Sequence, residues 1–268
     1  HENEHTVELE IGAGENWHEL VEWTVEKGWI GLENLALIPG SVGAAPIQNI
    51  GAYGVEVEEY ITKVQYMNTE SLELCWIDRE ECDFGYRSSI FKKELKAKAI
   101  IVKVRFKLPK NAQIKADYES LRNFLMHQGI DEPSQQQIFN AVIQVRQSRL
   151  PDTQTLGSCG SFFKNPLLPT EQVDRLKTRF PDIKTYPMPD GYTKVAAGWL
   201  IDKAVGKGFR KGQVGTYDQQ ALVIVHHGGA YGDQVREFAD FIQSEVSDMF
   251  GISLEAEVQI ISANSDDS

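Results

Sequence analysis

Three short stretches of this chain carry residue types suited to proton transfer or anion recognition, and they lie far apart. Gly160-Ser161-Phe162-Phe163-Lys164-Asn165-Pro166 places a hydroxyl in a glycine turn beside a cation and an amide. It lacks the Gly-x-Ser-x-Gly setting of a hydrolase nucleophile, and a serine there serves equally well to satisfy local backbone groups. Tyr86-Arg87-Ser88-Ser89-Ile90-Phe91-Lys92 offers a planar guanidinium fork that matches a carboxylate, although an arginine beside a tyrosine is also an ordinary solvated pair. Leu254-Glu255-Ala256-Glu257-Val258 carries two carboxylates that strand alternation puts on one face. His1-Glu2-Asn3-Glu4-His5 has zinc-peptidase spacing but runs directly into a strand pattern without the amphipathic helix that motif needs, so no metal site is expected.

A fourth stretch, Gly31 to Gly54, is rich in Gly, Ala, Pro and Asn. Its glycines follow neither the dinucleotide fingerprint nor the phosphate-binding loop. Two readings stand side by side: a compact surface loop whose glycines supply positive φ angles, or a backbone that closely approaches a flat, phosphorylated cofactor.

The elements that must position these residues follow from periodicity. Thr6 to Ile11 alternates as a half-buried strand; Trp17, Leu20, Val21 and Val25 share a helical face that Asn16 caps and Gly28 stops. Strands are expected over 60–80 and 98–107, paired antiparallel, with a loop or short helix over 81–96. Helices are expected over 134–149, 170–179, 196–205 and 235–249, a buried strand over 221–225 and a closing strand over 254–261. The break at Pro151 and Gly157-Ser158-Cys159-Gly160 marks a boundary, so the fold class is α+β in two parts, with 262–268 as a polar tail.

Composition narrows the function classes. With 27 Lys and Arg against 39 Asp and Glu, the net charge of -12 disfavours a broad nucleic-acid footprint, so an anionic ligand needs a local pocket. No apolar run is long enough for a membrane span, and a cytoplasmic location is expected. The 3 cysteines, Cys75, Cys82 and Cys159, are odd in number and without metal-ligand spacing, which suits a reducing compartment.

Taken in order, these motifs resemble the UDP-N-acetylenolpyruvoylglucosamine reductase family. Ile38-Pro-Gly-Ser-Val-Gly-Ala-Ala-Pro-Ile-Gln-Asn-Ile-Gly-Ala-Tyr-Gly54 is similar to the segment with which that family contacts FAD, and the Tyr86 to Lys92, Gly160 to Pro166 and Leu254 to Val258 elements each have a counterpart. The resemblance spans residues 6–261 and implies an FAD-binding domain of the PCMH/vanillyl-alcohol oxidase type over 1–150, without its N-terminal portion. A substrate-binding domain over 151–251 and a final strand over 252–261 returning to the active site complete the implied organisation.

It further implies FAD contacts from Ile38, Pro39, Gly40, Gly43, Ala44, Ile47, Gln48 and Gly51. Catalysis is assigned to Ser161 as proton donor, with Arg87 and Glu257 organising the substrate carboxylate. Tyr118, Arg149, Lys164, Asn165, Tyr186, Lys194 and Gln220 are the substrate contacts. Arg149 stands where the family carries lysine, and Ala256 where its pattern has proline, which loosens the backbone before Glu257. The implied chemistry is ping-pong: NADPH reduces the flavin, NADP+ leaves, and hydride passes to UDP-N-acetylglucosamine enolpyruvate to give UDP-N-acetylmuramate in a monomeric cytoplasmic enzyme. The alternatives are a flavin-free UDP-sugar-binding fragment and another FAD oxidoreductase of the same fold.

Overall fold

The computed structural model describes residues 1–189 and 191–261; the expected polar tail lies outside the described residues. The chain divides into two compact units, the first running from His1 to Arg146 and the second beginning at Gln147.

In the first unit, β1 (Thr6–Gly12) leads into α1 (Trp17–Glu26), and a short ribbon of β2 (Gly51–Ala52) and β3 (Val55–Glu56) precedes β4 (Ile61–Asn68), β5 (Leu74–Asp78) and β6 (Ala99–Pro109). Helices α2 (Glu119–His127) and α3 (Gln135–Gln147) close the unit. The main sheet has the order β1-β6-β4-β5, antiparallel throughout. Alternation explains β1: Val7 and Leu9 face the core with Val104, Phe106 and Leu108 of β6, while Glu10 points out and pairs with Lys103 and Arg105. Asn16 caps α1 by accepting from the amides of His18 and Glu19, and the buried Trp17 donates its indole N–H to the Leu35 carbonyl at 2.9 Å.

The Gly31 to Gly54 stretch is less of a surface loop than its composition suggests. Leu32, Leu35, Ala36 and Val42 are fully buried, each contributing about 1.5–3 kcal/mol relative to exposure for a side chain of leucine size. The buried Glu33 carboxylate accepts from the Gly31 amide at 2.7 Å and from Gln135 at 3.2 Å, which satisfies it without a cation. Burial, with Glu59 and Glu33 nearby, pushes the Tyr60 phenol up to about 12.

The second unit contains β7 (Gly157–Ser161), β8 (Leu167–Pro169), α4 (Thr170–Arg179), β9 (Thr185–Pro187), β10 (Tyr192–Val195) and α5 (Ala197–Ala204). It continues through β11 (Arg210–Lys211), β12 (Val214–Thr216), β13 (Val223–His226) and α6 (Gly232–Phe250). One sheet has the order β11-β12-β13-β7 and a second β8-β10-β9. The core gathers Phe162, Phe163, Leu200, Ile201, Ile224, Ile242, Val246 and Phe250, with Phe180 and Trp199 meeting the Phe250 ring in tilted contacts.

The expected closing strand over 254–261 is a correction. Only one antiparallel bridge, Phe163 with Ala256, forms there, because Lys164 and Glu257 bond across it to single partners and no ladder continues. Helix α2 and the strands of three residues or fewer escaped periodicity, which needs a longer run to register.

Gly31 has φ +137°, and a Cβ built on it meets the Tyr60 ring at 2.4 Å. Gly31→Ala is expected to lower unfolding free energy by about 2–4 kcal/mol, since it adds backbone strain to overpacking. Urea denaturation monitored by tryptophan fluorescence checks this.

Candidate active site

Ser161 ends β7, and the way β7 pairs decides where it points. Val223 opposes Ser161, and Val225 opposes Ser158, so β7 has one more residue than β13 over this span. The extra residue is a bulge at Cys159 and Gly160, where Gly160 takes φ +77° and its amide donates to Ser158 Oγ at 3.0 Å. Beyond it Phe162 and Phe163 are both buried at 1% exposure, with ring centroids 5.1 Å apart, and Ser161 is left exposed. At the other end of β7 the His226 imidazole lies over Gly157, whose added Cβ sits 1.9 Å from Nε2.

The segment around Glu257 is tied to the same turn. The Phe162 carbonyl accepts from the Glu257 amide at 2.8 Å, the Lys164 amide donates to the Glu255 carbonyl at 2.9 Å, and the Lys164 ammonium pairs with the Glu255 carboxylate. Ser161 and Glu257, predicted together, are thus brought together by backbone bonds. The two glutamates do not behave alike, as strand alternation suggested: Glu255 is exposed and holds Lys164, while Glu257 is half-buried. Partial desolvation raises the thiol of the otherwise exposed Cys159 above its ordinary value.

The remaining candidates in this unit gather at the first turn of α5 and on the β9-β10 ribbon. Asn165 Oδ1 accepts from the Ala197 amide at 2.9 Å, capping a helix whose own N-cap residue, Ala196, has no side chain for the task. Gln220 lies against the same turn, its Oε1 2.8 Å from a Cβ built on Gly198. Tyr186 and Lys194 are direct cross-strand partners, with Leu167 opposite Lys194 on the other side. Arg149 is exposed just past α3.

In the first unit, Arg87 occupies the third position of a turn closed by Gly85 and Ser88, with φ 54°. An L-residue there costs about 1–2 kcal/mol, and glycine or asparagine is the usual occupant. The strain aims the guanidinium at the expected cofactor segment: its Nη2 donates to the Gly51 carbonyl at 2.7 Å, and it lies over the Tyr86 ring at 5.2 Å. A Cβ on Gly51 sits 3.0 Å from Arg87 Nη1, so glycine there makes room for the arginine. Ser89 Oγ anchors the same segment by donating to the Ile47 carbonyl at 2.6 Å.

That segment splits by burial. Gly43 is buried because a Cβ would meet that of Ala13 at 2.6 Å, a packing requirement independent of any ligand. Pro39, Gly40, Ala44 and Ile47 are exposed, Ile38, Gln48 and Gly51 half-buried, and Gly40 has φ +115°. Small, apolar and backbone-rich, this exposed line fits a flat cofactor. Tyr118 belongs to the same unit and packs edge-on against Tyr53 at 5.5 Å. Sequence reasoning passed over Tyr53 and over Arg146, whose burial within α3 has no signature in composition.

An open groove elsewhere in this unit, lined by Glu10, Glu15, Asn16, Glu19 and Trp23, contains none of the expected site residues. No group of three or more His, Cys, Asp or Glu side chains among the described residues is placed to hold a metal ion.

A side chain on Gly160 has open space but an unfavourable φ. Gly160→Ala is expected to cost about 1–2 kcal/mol from the backbone alone. It also straightens the bulge, so loss of activity exceeding the loss of folded protein, measured by kcat at temperatures well below Tm, is the check.

Comparison with known proteins identifies the two domains and the family. The profile described as UDP-N-acetylenolpyruvoylglucosamine reductase, C-terminal domain, matches residues 151–261, and an FAD binding domain profile matches residues 1–71. UDP-N-acetylenolpyruvoylglucosamine reductase from Chromobacterium violaceum is 46% identical over 254 residues, 94% of this chain and 74% of the relative. That from Pseudomonas aeruginosa is 47% identical over 252 residues, with the same shares. The crystal structure of UDP-N-acetylenolpyruvylglucosamine reductase from Thermus caldophilus superposes with a TM-score of 0.62 at 25% identity, covering 94% of this chain and 71% of that one. With identity at this level across most of both chains, the protein belongs to the UDP-N-acetylenolpyruvoylglucosamine reductase family.

Proposed function

We propose that this chain reduces UDP-N-acetylglucosamine enolpyruvate to UDP-N-acetylmuramate in peptidoglycan precursor synthesis, with FAD as bound carrier and NADPH as co-substrate. The observation that carries the reading is 46–47% identity over 94% of the chain to reductases of that name. Residues 1–150 then hold the cofactor, 151–251 the nucleotide sugar, and 252–261 bring Glu257 back to Ser161. The protein works as a cytoplasmic monomer in this reading; no helix among the described residues is long and apolar enough to cross a membrane.

The exposed line of Pro39, Gly40, Ala44 and Ile47, with Ile38, Gln48 and Gly51 beside it, supplies the surface for FAD. When bound, the flavin supplies a two-electron carrier between NADPH and the enolpyruvyl double bond. The chain's own side chains do the rest. Arg87 forks onto the substrate carboxylate and stabilises the enolate-like charge that develops on it after hydride addition. Ser161 gives its hydroxyl proton to the adjacent carbon. An ordinary serine is a poor acid, so its proton must be replaced along a hydrogen-bonded path, and Glu257, attached to the same turn, is placed to orient that path. A second bare carboxylate beside a developing enolate is unfavourable, which suits a Glu257 whose oxygens hold a hydrogen-bond donor.

The first turn of α5, with Asn165 and Gln220 against it, presents amide dipoles to a diphosphate. The Tyr186 and Lys194 pair grips the nucleotide sugar from the β9-β10 ribbon, joined within the second unit by Lys164 and Arg149.

Purified full-length protein is expected to carry flavin absorbance and to oxidise NADPH only when the enolpyruvyl UDP-sugar is present. Colourless protein that cannot be reconstituted with FAD favours a sugar-binding role, and NADPH oxidation indifferent to the sugar favours another oxidoreductase. For Ser161→Ala, stopped-flow half-reactions should show flavin reduction preserved and reoxidation by substrate slowed roughly 10²–10⁴-fold. Equal loss in both halves reassigns Ser161 to binding or folding.

A further inference from the structure

Arg146 lies in the last turn of α3, four residues after the fully buried Val142 and on its face, where the apolar pattern of Ile138, Val142 and Val145 calls for an aliphatic side chain. Its Nε is buried without a hydrogen-bond partner, and burial lowers its pKa from the ordinary value. The one electrostatic neighbour that opposes this among the described residues is the phenol of Tyr53; no carboxylate does so. A guanidinium remains charged under such conditions, and although Arg146 is half-buried overall, a cation whose Nε is closed off without a counter-ion is costly enough that an aliphatic replacement is normally the more stable choice. Its placement there points to an anion that arrives with a ligand.

Tyr53 is an unusual neighbour. It takes φ 49°, its carbonyl accepts from Asn34 Nδ2 at 3.0 Å, and its ring meets Tyr118 edge-on. Two residues earlier, the Gly51 carbonyl receives Arg87. The other buried side-chain atoms of this unit without a hydrogen-bond partner are Asn34 Oδ1 and Ser120 Oγ, one on the residue that holds Tyr53 and one two residues past Tyr118. Unsatisfied polar atoms therefore collect at the aromatic pair that ends the expected cofactor segment, and the charge among them is positive.

We propose that Arg146 is the cation that balances the negative charge taken up by the isoalloxazine on two-electron reduction, and so makes the bound flavin easier to reduce. The inference rests on the flavin reading above. A diphosphate needs several converging donors and is well served by water, whereas a ring-delocalised charge that appears only during turnover suits a single desolvated guanidinium beside aromatic side chains.

The test uses the full-length protein with FAD bound, as wild type, Arg146→Met and Arg146→Lys, and reads two quantities besides turnover. The first is affinity for sulfite, which adds to oxidised flavin and leaves negative charge on its pyrimidine end; the second is the midpoint potential by dye equilibration. Arg146→Met is expected to retain flavin while binding sulfite at least tenfold more weakly, with a potential lower by about 30 mV for each factor of ten in the two-electron equilibrium. Arg146→Lys, which keeps the charge, should recover most of both. Unchanged sulfite affinity and potential in a flavin-bound Arg146→Met protein overturn the proposal while leaving the flavin reading intact. So does a lysine variant that behaves like the methionine variant. Wild-type protein that takes up no FAD overturns both.

Discussion

Two adjacent phenylalanines, Phe162 and Phe163, are buried in one core, and a regular strand does not allow that, since successive side chains point to opposite faces. The conflict is resolved by inserting an extra residue before them and by turning the chain out of the ladder after them. The bulge at Gly160 performs the first task, and the bonds from Phe162 and Lys164 to the segment at Glu255 and Glu257 perform the second. Ser161 is exposed because its neighbours are not. Burial of two aromatic rings, each worth several kcal/mol, is therefore what holds a short polar side chain in one orientation and delivers Glu257 to the same turn.

In the first unit the corresponding constraint is backbone proximity. Gly43 packs against Ala13, Gly31 passes beneath Tyr60, and Gly51 leaves space for Arg87, so several glycines of the 31–54 stretch answer to internal packing. What remains outward is narrow: Pro39, Gly40, Ala44, Ile47 and Gly54. Arg87 adds strain at the edge of that surface, held in a left-handed turn position and fastened by its bond to Gly51 and by Lys92, whose ammonium donates to its carbonyl at 3.2 Å. Strain of this kind persists where surrounding bonds over-determine it, and here one of those bonds is to the segment proposed to meet the cofactor.

Side chains also divide their work between holding the fold and facing a ligand. Asn165 uses its carbonyl oxygen to cap α5, and Lys164 uses its ammonium to secure Glu255, so each organises the chain at a point expected to contact substrate. Lys164 is accordingly better understood as fixing the turn that carries Ser161 than as a mobile surface cation, its side chain being only 17% exposed.

Long periodic elements were legible in the sequence: β1 from its alternation, α1 from its face and Asn16 cap, α4 and α6 from their spacing, and the hairpin of β4 and β5 with β6 from β-branched runs. The family was legible in the motifs too, because glycine, arginine and serine in such order are chemically specific. The short strands β8 to β12, the absence of a closing strand at 254–261, and the different fates of Glu255 and Glu257 were not, because runs of two to four residues carry too little period and their pairing is set by distant partners. Arg146 was the least visible of all. A sequence determines that a helix carries an arginine on its apolar face; only tertiary packing decides that its Nε is closed off from water beside Tyr53, since desolvation is a property of everything that surrounds a group and of nothing in its immediate chain.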